Sequence, residues 1–393
     1  MDLKNITIDP VYANKLNMHS FEQMLDNNAQ GYKFYWLEAI VQLIVNDDKS
    51  EISFDEIIKR MIWSAWYSVT EYHLHLGPCY QGKYANAIEK IIHELSAGLE
   101  SPQNFSYEEF EKIYVEKYGA ISADVKVLYL NVPYRLLSSF LDLSGGDKRW
   151  NQTKWLIDYM QEFNSRNNEF LLPYIILDDK KSGKRIRITP EWKRLILDNV
   201  TIIESWIDLK KIQYLQQRNP GVPGIVNKIH KETYEQRHLD HVRKLWKYYS
   251  EITGKPIIDI YSNDILEGAV SIDHFVPWSY ISNDEIWNLI PTSRSLNSKK
   301  SDKLPEWNKY FKQFSKEKYE LYQAVFPSEE NNAIQKLKDL FEACRTDNLN
   351  SLWASEKLYI PGHSENEFQS ILEENLKPVF DAAKLQGFRI WKV

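Results

Sequence analysis

The sequence predicts a mainly α chain with a small α+β part, in which a helical N-terminal lobe precedes a compact strand, loop, strand and helix unit. Three observations carry this expectation. Residues 1–170 hold apolar runs with helix start signals, such as Phe34-Tyr35-Trp36-Leu37-Glu38-Ala39-Ile40-Val41. Residues 173–189, PYIILDDKKSGKRIRIT, set two strand-like runs on either side of a polar turn. Residues 268–305 run from a short alternating strand, through Pro277 and Pro291, to a helix that Pro305 stops.

Taken in order, Ser53 and Glu56 have the spacing of a capping box. The helix they start is expected to continue through IIKRMIWSAWYSVTEYHLHLG and to stop near Gly77-Pro78. His73, His75 and Cys79 lie close together at its end and suggest a metal trio. With no further ligand pair nearby, half-buried packing residues are the favoured reading. After the 173–189 hairpin, Thr189-Pro190 starts a helix with proline at its first position. RNPGVPGI, residues 218–225, is the clearest break and separates two helical stretches. A helix over 227–250 follows and carries His238 and His241 three residues apart, read as a surface or interface feature. The expected organisation is a helical lobe over 1–170, a basic connecting region of hairpin and helices over 171–250, the compact unit over 251–320 and a helical extension over 321–393.

Composition narrows the class. A chain of 393 residues has enough length for two or three domains and a sizeable core. The longest membrane candidate, Leu37 to Val45, is too short to span a bilayer. The first residues, MDLKNITIDP, lack the basic then apolar order of a signal peptide. Cys79 and Cys344 cannot build a disulfide framework, so a reducing cytoplasm is expected. The net charge is -6, yet Lys and Arg outnumber Asp and Glu over 180–318 while both flanks are acidic. Within that middle, 180–247 and 294–318 are the basic stretches, on either side of an acidic segment. That arrangement suits a metal site in a groove for a phosphate backbone. The 13 Trp and 24 Tyr fall mostly in apolar periodic runs such as LWKYYSEI, which argues for a packed core over a base-stacking platform.

The chemistry concentrates in DHFVPWSYISNDEIWNLIPTSRSLNSKKSDKLP, residues 273–305. GAVSIDH reads as a strand ending on Asp273 and His274, Asn288 to Pro291 as a second strand, and SRSLNSKKSDKL as about three helical turns capped by Thr292-Ser293. Asn297 then faces the acid and histidine from the helix. Phosphodiester hydrolysis needs an activated water, charge neutralisation and help for the leaving oxygen. A neutral histidine can take the proton from water, and Asp273 with Asn297 offers oxygen ligands for Mg²⁺ or Mn²⁺. Asn288 is expected to complete the catalytic pair with His274 by bracing the loop and orienting the imidazole. Arg294, Lys299, Lys300 and Lys303 are the candidates for nucleic-acid phosphate contact.

This segment resembles the HNH, or ββα-metal, nucleases, and is most similar to the HNH domain of RNA-guided CRISPR nucleases. The residues that carry the likeness are Asp273, His274, Val276, Pro277, Ser279, Asn288, Asn297, Lys300, Ser301, Asp302 and Pro305. The resemblance implies that Asp273 and Asn297 are metal ligands and that His274 is the general base. It further implies an endonuclease cutting DNA, with RNA as the other candidate substrate, in a bacterial or phage-related defence or restriction role. The paired Cys-x-x-Cys zinc sites of many relatives are absent, and nothing carries guide-RNA dependence over to this chain. The lobe over 1–170 is left for regulation, as a homodimer contact or a protein-partner surface. The contrasting reading is a nucleic-acid-binding or scaffold protein with an inactive HNH unit.

Overall fold

The computed structural model describes residues 12, 16–26, 28–80, 83–141, 143, 147–166, 171–181, 183–230, 239–268, 270–346 and 351–392. It is mainly α with small sheets, and it divides into two compact units. The first comprises Met1–Pro220 with Lys228–Lys231, and the second Gly221–Asn227 with Glu232–Val393.

In the first unit the helices are α1 (Met18–Gln23), α2 (Tyr32–Asp47), α3 (Phe54–Thr70), α4 (Ala87–Ser96), α5 (Tyr107–Glu116), α6 (Tyr118–Arg135), α7 (Thr153–Arg166), α8 (Pro190–Asp198) and α9 (Val200–Arg218). The strands are β1 (Glu51–Ser53), β2 (Cys79–Tyr80), β3 (Lys83–Tyr84), β4 (Tyr174–Asp179) and β5 (Gly183–Ile188). Helix α2 is buried at every position from Phe34 to Val41, Glu38 included. It packs against α3, α6, α8 and α9. The capping box forms: the Ser53 hydroxyl accepts from the Glu56 backbone N–H, and the Glu56 carboxylate accepts from the Ser53 N–H.

Two features depart from the expectation. Helix α3 ends at Thr70, short of Gly77, and His73 then takes a left-handed φ of 51° as the chain turns back to bond Leu74 N–H to the Ser68 carbonyl. The hairpin β4–β5 gains a third strand, β1, which pairs antiparallel to β5 with Ile52 opposite Ile186.

The second unit contains α10 (Asp240–Thr253), β6 (Ser271–His274), α11 (Trp278–Ile281), β7 (Leu289–Thr292), α12 (Arg294–Lys300), α13 (Trp307–Val325), α14 (Asn332–Thr346) and α15 (Glu365–Leu385). This two-way division is coarser than the four stretches expected from the sequence. Hairpin β4–β5, α8 and α9 join the helical lobe, whereas α10 packs on α13 and α14 and touches both β6 and β7. The C-terminal stretch is equally integral. Leu304 donates to the Arg389 carbonyl and accepts from Trp391 N–H, tying residues 389–391 to the segment after α12. The helix expected from 227 is described from Asp240; His238 lies outside the described residues, and His241 is half-exposed.

Candidate active site

Strands β6 and β7 form an antiparallel pair with Asp273 opposite Ile290 and His274 opposite Leu289. The chain leaves β6 under tight control. Phe275 N–H donates to the Asn288 carbonyl at 2.8 Å. The Asn288 side chain clamps Val276 from both ends, accepting from its N–H and donating to its carbonyl, each at 2.8 Å. Asn288 is fully buried. Its amide is committed to Val276, so it shapes the loop after His274 and makes no described bond to the imidazole. Phe275 plugs the base of the loop against Phe314 and Trp307 of the α13 segment.

The imidazole has a partner that the sequence reading missed. His274 Nε2 lies 2.7 Å from Asp284 Oδ1, and both side chains are buried. A carboxylate there favours the tautomer with hydrogen on Nε2, which puts the basic lone pair on Nδ1. Asp284 reaches this place because Ser282, at φ 58°, ends the single turn of α11 and reverses the chain. An acid ten residues along gives no such signal in the linear sequence.

Asp273 is also buried, and its two oxygens have different partners. Oδ1 meets the Lys300 ammonium at 3.0 Å, and Oδ2 accepts from the Tyr261 hydroxyl at 2.5 Å. Lys300 donates in addition to the His274 carbonyl at 2.7 Å. Burial, then the Asp273 charge, holds the Tyr261 phenol well above its ordinary pKa, so it remains a donor. Tyr261 is itself fixed edge-on against Tyr310 and Trp391.

Lys300, a candidate for phosphate contact, is buried. Its side chain has 0% exposure, because the face of α12 that carries Asn297 and Lys300 turns inward onto β6. From that face the Asn297 amide nitrogen donates to Ser271 Oγ at 2.6 Å and to the Ile272 carbonyl at 3.4 Å. Arg294 and Lys299 are exposed and Lys303 is half-exposed, with its ammonium on the Lys299 carbonyl. Helix α12 is also shorter than three turns, since Ser301 takes φ 51° and breaks it.

Two further buried groups hold the frame. Asp259 accepts from Thr292 Oγ1 at 2.9 Å, Ser293 N–H at 2.8 Å and Tyr261 N–H at 3.0 Å, joining the segment before β6 to the start of α12. Lys318 of α13 donates to the Ile286 carbonyl at 2.7 Å and to the Leu289 carbonyl, one on each side of Asn288. Burial pushes its pKa down to about 7. In the unfolded chain a lysine titrates at about 10.4, so between about pH 7 and 10 the unfolded state binds the extra proton, and this residue's contribution to stability grows as pH rises. Lys318→Met should destabilise by about 1–3 kcal/mol for each carbonyl left without a donor. The loss should be larger at pH 10 than at pH 7. Urea unfolding of wild type and variant at both pH values measures it, and an equal loss at both would contradict the assignment.

Elsewhere, His75 Nδ1 pairs with the buried Glu89 at 2.8 Å, and Glu89 also accepts from Leu76 N–H. Among the described residues, the acid and histidine group close enough to share a metal is Glu38, Asp208 and His230 in the first unit. There the Lys211 ammonium already lies 2.8 Å from Glu38 and 3.3 Å from Asp208, which makes the group an ion-pair network.

Residues 253–306 match the family model for HNH endonucleases. The match takes in Asp259, Tyr261, Asp273, His274, Asp284, Asn288, Asn297 and Lys300. No curated protein and no solved structure matches the chain.

Proposed function

We propose that the HNH endonuclease domain of this protein is a metal-dependent phosphodiesterase acting on DNA, with His274 as general base. The observation that carries the reading is the acid and histidine pair at the end of β6, packed against Asn297 and Lys300 of α12, with Asp284 on the far nitrogen of the imidazole.

Asp273 and Asn297 supply hard oxygen donors, the set that suits Mg²⁺ or Mn²⁺. Such an ion, when bound, neutralises charge at the phosphorane and on the departing 3′ oxygen. The remaining work falls to the chain. Asp284 fixes the ring and stabilises the imidazolium formed when Nδ1 takes the proton of the attacking water. Asn288 and Lys318 hold the loop and strand that carry the ring. Arg294, Lys299 and Lys303 are placed in the nucleic-acid contact role, as cations that add salt-dependent affinity without sequence preference. A defence or restriction role, gated by the helical lobe, follows from analogy with the family.

One observation favours the other reading, an inactive HNH unit that only binds nucleic acid. The Asp273 carboxylate is already neutralised by Lys300, and the pair is closed to solvent. Supercoiled plasmid incubated with the full chain and Mg²⁺, Mn²⁺ or EDTA separates the two. Metal-dependent nicking supports the nuclease, and binding without cleavage under every metal supports the inactive unit. Asp284→Asn should lower the nicking rate by about 10–100-fold. Wild-type rates in that variant would remove Asp284 from its positioning role. Asn297→Ala should raise the metal concentration required.

A further inference from the structure

We propose that the first unit carries a binding site for a small phosphorylated ligand of about mononucleotide size, in a cavity between the start of α2 and the end of α6. The cavity measures about 490 Å³, and its walls include Asp26, Lys33, Arg135, Ser138, Ser139 and Trp150. That volume falls within the range of small-molecule sites, which is roughly 300–1,000 Å³.

The charges converge on it from separate elements. Lys33 is the second residue of α2 and Arg135 the last of α6, while Ser138 and Ser139 lie on the 3₁₀ turn that follows α6. Neither cation has a carboxylate bonded to it among the described residues. The Lys33 ammonium makes two long contacts, 3.3 Å to the Asp26 carbonyl and 3.5 Å to Ser138 Oγ. The Asp26 carboxylate, itself on the wall, is bridged to Lys210 at 3.0 Å. Lys33, Arg135 and Lys210 set against Asp26 leave an excess of two positive charges.

Burial lowers the Lys33 pKa, Asp26 opposes that fall, and the like charge of Arg135 adds to it. A dianionic group placed between the two cations would reverse the repulsion. A phosphate monoester carries that charge at neutral pH, about -1.5 to -2, and has the acceptor oxygens that a guanidinium, an ammonium and hydroxyls can address. The positive end of the α2 dipole lies at the same edge. Trp150, whose ring lies 5.5 Å from the Arg135 guanidinium, gives one wall an apolar surface for an organic portion. No part of this rests on the nuclease reading.

Isothermal titration of the full chain with inorganic phosphate, pyrophosphate and AMP tests the site. Saturable binding is expected for at least one probe, weakened about tenfold or more by Arg135→Gln and by Lys33→Met, and unchanged by Arg194→Gln on α8. AMP binding more tightly than the inorganic probes assigns the site to a nucleotide, and equal binding assigns it to the phosphate group alone. If either charge-removing variant melts below wild type in the absence of probe, Arg135→Lys and Lys33→Arg replace them. Those variants keep the charge but change the donor geometry, and a partial loss is expected. Failure of every probe to bind at millimolar concentration, or binding that survives both charge removals, overturns the proposal.

Discussion

His274→Ala should lower plasmid nicking by roughly 10²–10⁴-fold, the usual worth of a positioned general base. The substitution also leaves the buried Asp284 carboxylate without its 2.7 Å partner, so a loss of stability of about 1–3 kcal/mol or more should accompany it. His274→Gln separates the two effects. Its amide nitrogen occupies the place of Nε2 and can still address Asp284, but it has no basic nitrogen. Both variants are expected to cleave equally poorly, with only the alanine variant melting clearly lower. Cleavage near wild-type rates by either one would mean that another group takes the proton from water.

Lys211→Met should have a large effect on stability. Lys211 and Glu38 are both buried, the ammonium lies 2.8 Å from Glu38, and the other Glu38 oxygen accepts from Ser64 Oγ at 2.6 Å. Burial alone would depress the Lys211 pKa, but Glu38 and then Asp208 outweigh it and hold it above the ordinary value. Its stabilisation is therefore present below the unfolded value near ~10.4 and is lost only as pH rises through the higher folded value. Removing the cation strands a carboxylate in the core of the lobe, at a cost of about 3–5 kcal/mol. The double variant Lys211→Met with Glu38→Gln should recover most of that loss, because neither charge then remains. Urea unfolding measures both. A single variant within about 1 kcal/mol of wild type would show that solvent compensates the stranded carboxylate.

The contrast between residues found and residues missed follows contact range. The Ser53 and Glu56 box, the hairpin over 173–189 and the β6, β7 and α12 succession are each built from one continuous stretch with its own turn and cap residues, and each was legible as pattern. Asp259, Tyr261 and Asp284 were not. Each acts across a chain reversal, and their roles depend on loop paths that propensity does not encode. Lys300 illustrates the same limit from the other side. From the sequence it reads as a candidate for phosphate contact, yet helical spacing from Asn297 puts it on the face that β6 covers. Strand β1 was equally hidden, since three residues pair with a partner more than 130 positions away.

By itself the sequence determined the fold class, the position of the HNH unit and the order of residue types within it. Those properties are local: periodicity, turn residues and the order of Asp273, His274, Asn288 and Asn297. Tertiary structure decided which nitrogen of His274 is held, what neutralises Asp273 and where the units divide. Those outcomes depend on burial, because removing a charge from water makes its partner obligatory, and only the folded chain decides which partner arrives.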